Sequence, residues 1–256
     1  MRPRDRRVLG VIGGMGPAAT VDFLGRLVES TEVSSDQDHI RVLIDSNPTI
    51  PDRTAHLLGN GPHPRPALVA TAQGLERAGA DFLVMPCNAA HTFADDIRAA
   101  IGIELVDWPG EVARAAAMHG ARSAGVLAST GTLVAGVYQR ALEACDVDPV
   151  LPGDAAQAEV MESIFGPAGV KIAGATSRDA RLALERASAD LEGRADVLIL
   201  ACTEFSALDG VFPLHLGIPT IDAAAVVARK VITMAGGTLK GESPRPPVEP
   251  PTRPRR

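Results

Sequence analysis

Two cysteines carry the chemistry this chain can do. Cys87 closes the apolar run in DFLVMPCNAAH (Asp81 to His91), and Cys202 closes the matching run in DVLILACTEFS (Asp196 to Ser206). A strand that only fills a core has no need of a cysteine at its end followed at once by a polar residue, here Asn88 and Thr203. A thiolate is a good base, and a thiol, with an ordinary pKa near ~8.5, is a usable acid. One of each on opposite faces of a carbon takes a proton from one side and returns a proton from the other. The stereocentre is inverted, and no cofactor is needed. Each cysteine follows a predicted strand and precedes a predicted helix, whose free N–H groups favour the thiolate. Taken singly, either reads as an ordinary buried cysteine; the equivalent pair points to chemistry. No Cys-x-x-Cys spacing suggests a redox couple. Cys145 ends a helical pattern and has no counterpart, so it reads as structural.

The elements that must position these thiols come twice. Apolar strand-like runs at Val8–Ile12, Ile40–Asp45, Phe82–Met85 and Ile103–Asp107 alternate with helical patterns at 18–29, 66–79 and 92–100. That alternation predicts an α/β fold with parallel sheets. The second half repeats the first: Gly10 with Gly125, Asp81 with Asp196, Cys87 with Cys202 and Asp107 with Asp222 all stand 115 positions apart. The predicted architecture is two similar Rossmann-like or flavodoxin-like lobes related by a pseudo-two-fold axis, with a cleft between them. Ligands of such sheets sit beyond the carboxyl ends of the strands, where both cysteines lie. The first lobe is expected to span 1–107 plus about 217–236, the second 108–216. The final helix, 223–234, should return to the first lobe after a strand that fits either half. The Pro-rich stretch 237–256 is expected to be a disordered tail.

Composition excludes other classes. The net charge of −6 disfavours nucleic acid and anionic membranes as partners, while leaving room for a small anionic ligand. No run approaches the ~20 apolar residues of a membrane span, and no signal peptide is visible. Three cysteines do not make a disulfide framework, so a cytoplasmic location with reduced thiols is expected. No Cys/His cluster has metal-ligand spacing, and no metal or cofactor is expected.

The motifs GGMGP, NPTIPDRT, MPCNAAH, ASTGT, VKIAG and ACTEFS, in that order from about Val8 to Met234, resemble the aspartate/glutamate racemase family, most closely its aspartate racemases. The resemblance implies pyridoxal-phosphate-independent interconversion of L- and D-aspartate or glutamate by two cysteines, one per lobe, in a homodimer. It also implies that Met15 lines the pocket and that Arg53 and Lys171 contact the substrate. We expect both to hold the side-chain carboxylate of an acidic amino acid, because guanidinium forks onto carboxylate. Arg53 is read on a stiff loop. A small insertion precedes Lys171 in SIFGPAGVKIAG, and Ala89 stands where family members often have Thr. At Ala89 a main-chain contact survives and a hydroxyl contact does not.

Asn88 and Thr203 are expected to hydrogen-bond the α-carboxylate, onto which charge moves as the proton leaves. Thr130 and Thr132 in ASTGT mirror the first glycine loop and should act alike. His91, one turn after Cys87, reads as a packing or hydrogen-bonding residue. Two competing readings stay open: a related two-lobed racemase or isomerase acting on another amino acid or small dicarboxylate, and a non-catalytic amino-acid-binding module.

Overall fold

The computed structural model describes residues 6–211 and 216–241. The first half runs β1 (Leu9–Gly13), α1 (Pro17–Ser30), β2 (Val42–Ser46), α2 (Arg53–Leu57), α3 (Arg65–Arg77), β3 (Phe82–Val84), α4 (Ala94–Arg98), β4 (Glu104–Leu105) and α5 (Trp108–Met118). The second runs β5 (Ser123–Leu127), α6 (Thr130–Val134), α7 (Val137–Glu143), β6 (Asp148–Val150), α8 (Asp154–Phe165), α9 (Val170–Ala173), α10 (Arg178–Ala189), β7 (Val197–Leu200), α11 (Thr203–Val211), β8 (Thr220–Asp222) and α12 (Ala223–Met234). Two parallel four-stranded sheets result, ordered β2-β1-β3-β4 and β6-β5-β7-β8.

The repeat is visible residue by residue. Strand side chains alternate between two faces. Leu9, Val11, Phe82 and Val84 face a core shared by the two sheets, as do Ala124, Val126, Val197 and Ile199. Leu83 and Met85 face outward onto α3 and α4, and Leu198 and Leu200 face outward onto α8 and α10. Gly10 and Gly125 keep these outer helices close. A Cβ on Gly10 would lie 2.4 Å from Leu83 Cδ2 and 2.8 Å from Ala80 Cβ; one on Gly125 would lie 2.7 Å from Leu198 Cδ2. The aspartates in register do the same work twice. Asp81 Oδ2 accepts from Val8 N, and Asp196 Oδ2 from Arg122 N and Ser123 N. Asp107 and Asp222 are the N-caps of α5 and α12.

Those two helices cross between halves. α12 packs against α1, α5 packs against α7, and α5 and α12 meet each other. The strand β8 pairs with β7, so the segment 217–236 is divided: its strand completes the second sheet and only its helix returns to the first lobe. By the same exchange α5, which follows the first sheet although the second lobe was expected to span 108–216, packs against α7 of the second half. Residues 237–241, the first part of the expected tail, are ordered. Glu32 N donates to Thr238 O and Lys240 N to Ser30 O, which ties 237–241 to the end of α1. Residues 242–256 lie outside the described residues.

With 3% aromatics, the chain spends its only Trp and only Tyr at this junction. Trp108 is fully buried 5.4 Å from Phe23, and Tyr138 is fully buried beside it in the shared core. Arg26 of α1 adds a polar tie, with Nη1 2.7 Å from Asp222 Oδ2 and Nη2 donating to Ser206 O. Trp108→Ala should therefore cost about 3–5 kcal/mol of unfolding free energy, because it opens a cavity where four helices meet. Urea denaturation measures this, and a loss below about 1 kcal/mol would contradict the central packing.

Candidate active site

The carboxyl ends of β1 and β3 face those of β5 and β7 across a narrow cavity. Cys87 and Cys202 both line it, one from each sheet. Its free volume is about 30 Å³.

The first wall begins at Gly14, whose φ of +90° suits glycine and whose Cβ position is taken by the Asn47 backbone. Gly14 N donates to Thr20 Oγ1, fixing the turn that presents Met15. Arg53 sits behind Met15. Its Nη2 donates to Met15 O, and its Nη1 to Ile50 O and Pro51 O. Its Nε is buried with no partner. Arg53 was expected on a stiff loop. It instead opens α2, because Asp52 caps that helix by accepting from Ala55 N at 2.7 Å, and it is 8% exposed. Asn88 follows Cys87. Tyr138 Oη donates to Asn88 Oδ1 at 2.5 Å across the lobe junction. That leaves the buried Asn88 Nδ2 without a partner, as a donor held for something in the cavity.

The opposite wall carries Ser129, Thr132, Lys171, Cys202, Thr203 and Glu204. Ser129 caps α6 and receives a hydrogen bond from Thr54 Oγ1, which joins the two walls. Lys171 reaches the cavity despite the extra residues before it, since α8 ends at Phe165 and the short α9 restarts at Val170. Lys171 does not wait there unpaired: Nζ is 2.5 Å from Glu204 Oε1. The other oxygen, Oε2, accepts from Cys202 Sγ at 2.9 Å.

The electrostatics follow from burial and this chain of three groups. Burial, then the Glu204 carboxylate, pushes the Cys202 thiol well above its ordinary value. Burial opposes the Glu204 charge, but Lys171 and the Cys202 hydrogen bond outweigh it and hold the carboxyl below its ordinary value. Burial likewise opposes the Lys171 charge and is outweighed by Glu204. The expectation that a helix start favours the Cys202 thiolate is thus overturned on this side. The N–H groups of α11 are present, but a desolvated sulfur beside a carboxylate keeps its proton.

Of the residues singled out from the sequence, Met15, Arg53, Cys87, Asn88, Ala89, Thr132, Lys171, Cys202 and Thr203 line the cavity. Thr130 does not. Its Oγ1 accepts from Gln157 Nε2 at 3.0 Å on α8, and its neighbour Ser129 takes the place in the wall. Sequence reasoning missed Glu204, Ser129, Asp52 and Thr54. Ser129 and Asp52 had a signal, since each is a capping residue before a short helix. Glu204 had one too: the 115-residue shift pairs it with Ala89, a contrast between the halves that went unused. Among the described residues, no group of three His, Cys, Asp or Glu side chains could hold a metal ion, and no helix is long and apolar enough to cross a membrane.

Comparison with known proteins places this geometry. A family model described as Asp/Glu/Hydantoin racemase matches residues 12–231. The chain is 26% identical over 232 residues to the broad specificity amino-acid racemase RacX of Bacillus subtilis, covering 88% of this chain and 97% of that one. It is 31% identical over 193 residues to a glutamate racemase of Corynebacterium kroppenstedtii, covering 69% of this chain and 62% of the relative. Among solved structures it is similar to Picrophilus torridus aspartate racemase, with 30% identity, a TM-score of 0.79, and coverage of 91% of this chain and 96% of that one.

Behind Cys87, His91 is buried and its Nε2 lies 3.0 Å from Met85 O. It packs as the sequence suggested and does not line the cavity. Burial lowers its pKa from 6.5 to about 4, against the opposing pull of the Met85 carbonyl. The unfolded chain therefore binds a proton below pH 6.5 that the folded protein refuses until pH 4. Stability from this group is fully present above pH 6.5 and falls toward pH 4, by about 3 kcal/mol in all. His91→Gln, whose amide nitrogen reaches the place of Nε2 and can still donate to Met85 O, should flatten that fall. The urea midpoint followed from pH 8 to pH 4 measures it; an unchanged acid limb in the variant would contradict the assignment.

Proposed function

The chain belongs to the Asp/Glu/hydantoin racemase family, and from that premise we propose that it interconverts the L and D forms of aspartate or glutamate by proton transfer between Cys87 and Cys202. It is an amino-acid racemase of the kind that works without pyridoxal phosphate. One observation carries the proposal: equivalent strand ends of two sheets deliver two thiols to one cavity.

The steps balance as proton exchange. One sulfur, as thiolate, takes the Cα proton; the C–H bond breaks and an S–H bond forms. The electron pair moves into the α-carboxylate, where the Asn88 Nδ2 donor and nearby backbone N–H groups meet the growing charge. The second sulfur then delivers its proton to the other face of Cα. Dicarboxylate substrates draw support from Arg53, whose Nε has no protein partner, and from Lys171. A second reading also has an observation behind it. The Lys171 charge is already matched by Glu204, so a substrate with an uncharged side chain leaves no bare cation. RacX, the Bacillus subtilis relative, is named for broad specificity.

The partner we propose besides the substrate is a second copy of this chain. Val21, Leu24 and Val28 form an apolar stripe on α1, 70%, 37% and 50% exposed, that a homodimer would cover. Three cysteines, none in a disulfide, support a reducing cytoplasmic location.

Cys87→Ser and Cys202→Ser should each lower racemisation of aspartate by at least about 10²-fold, since a positioned acid–base group contributes ~10²–10⁴-fold. Polarimetry and the appearance of solvent deuterium at Cα measure it, and near-normal turnover in either variant overturns the two-thiol reading. Running the same exchange over all L-amino acids separates the two substrate readings: confinement to aspartate and glutamate supports the first, and exchange of alanine or other neutral amino acids at comparable rates supports the second. Val28→Glu should convert a dimer to a monomer in analytical ultracentrifugation; a wild-type protein that is already monomeric rules the dimer out.

A further inference from the structure

The two halves of the cavity are built alike except beside the sulfurs. The shift that pairs Cys87 with Cys202 and Asn88 with Thr203 pairs Ala89 with Glu204. Glu204 is buried, with its side chain 8% exposed. One carboxylate oxygen takes the Cys202 S–H at 2.9 Å and the other takes Lys171 Nζ at 2.5 Å. Among the described residues Cys87 has no such partner, because a methyl group occupies the equivalent place. We propose that Glu204 is a positioning residue that holds the proton on Cys202, making Cys202 the acid and Cys87 the base of the resting active site.

Thiol titration depends on every charge in reach, and these are few. From its own side Cys202 meets Glu204 and Lys171. Across the cavity stand Cys87, Arg53 and Asp52, and Tyr138 lies behind. Arg53 is anchored to three carbonyls and Asp52 to the start of α2, so neither touches the sulfur through a hydrogen bond. Only Glu204 does. A carboxylate this close opposes a second negative charge on sulfur, and Lys171 moderates that opposition. The displacement of Cys202 above its ordinary value, with Glu204 the next cause after burial, agrees. In the resting enzyme the enantiomer whose Cα–H faces Cys87 is then the one that reacts directly. The thiolate left on Cys202 after proton delivery is the form that Lys171 tolerates and Glu204 resists.

This inference rests on the two-thiol reading, and its test is separate from activity. Full-length protein is alkylated with iodoacetamide between pH 6 and 10, and modification of Cys202 and Cys87 is followed by peptide mass spectrometry. Glu204→Gln should move the Cys202 profile to lower pH and raise its alkylation rate at pH 7.5 by at least tenfold, with Cys87 changed less than twofold. Lys171→Met removes the counter-charge and leaves Glu204 in place, so it should shift the Cys202 profile the other way. A purely structural role for the pair gives no opposed shifts. A Cys202 profile unchanged in Glu204→Gln, or moved in the same direction by both variants, overturns the inference. Near-normal racemisation by Cys202→Ser would instead overturn the two-thiol reading and leave the alkylation result to be judged alone.

Discussion

Burial of apolar surface between the two sheets is the constraint on which the site depends. Each sheet presents one face of a period-2 strand pattern to the same core, and the helices α5 and α12 cross between the halves to fill it. Neither half could bury that face alone. Because the core is continuous and close-packed, the strand ends above it are held at a set separation. The thiols at those ends inherit that separation. Trp108 and Tyr138 show how directly scaffold and site are linked: one fills the junction, and the other, from the same core, sets the amide of Asn88 in the cavity wall.

On this near-symmetric scaffold the surroundings of the two sulfurs are asymmetric. The proposed two-base reaction needs one sulfur with its proton and one without, and identical halves would leave that choice to chance at each turnover. Under that proposal the Glu204–Cys202 hydrogen bond biases it and Lys171 moderates the bias, while the backbone frame around Cys87 stays equivalent. The buried pair has a cost, since removing two charges from water is unfavourable, and the hydrogen bond from Cys202 helps offset it. The same pair occupies Lys171, so in the proposed reaction recognition of a substrate side chain and protonation of a sulfur would share one cation.

Much of this was legible in the order of residues. The periods of apolar runs located strands β1, β2 and β3 within a residue or two and α12 at its observed bounds. The constant shift of 115 brought out the duplication, and with it the placing of Cys87 and Cys202 at facing strand ends. What failed did so for local reasons. Arg53 was read on a loop because NPTIPDRT is rich in Pro, yet Asp52 starts a helix there. Thr130 was singled out in ASTGT and Ser129 was not; both are hydroxyls, and only the turn of the chain decides which one lines the cavity. The strand β8 was placed with the first lobe in 217–236, although its short pattern fits either half, and hydrogen bonding to β7 puts it in the second sheet.

The sequence by itself determined the inventory: a repeated α/β unit and a cysteine at the end of one strand in each half follow from spacing along the chain, which periodicity records, while the two cations Arg53 and Lys171 were singled out by family resemblance. Tertiary structure alone decided the state of that inventory. Lys171 and Glu204 meet from positions 33 residues apart, and burial, followed by the Glu204 carboxylate, reverses the expected effect of the helix start on Cys202 while Lys171 moderates it. Protonation is set by burial and by neighbours in space, and neither is written in the order of residues.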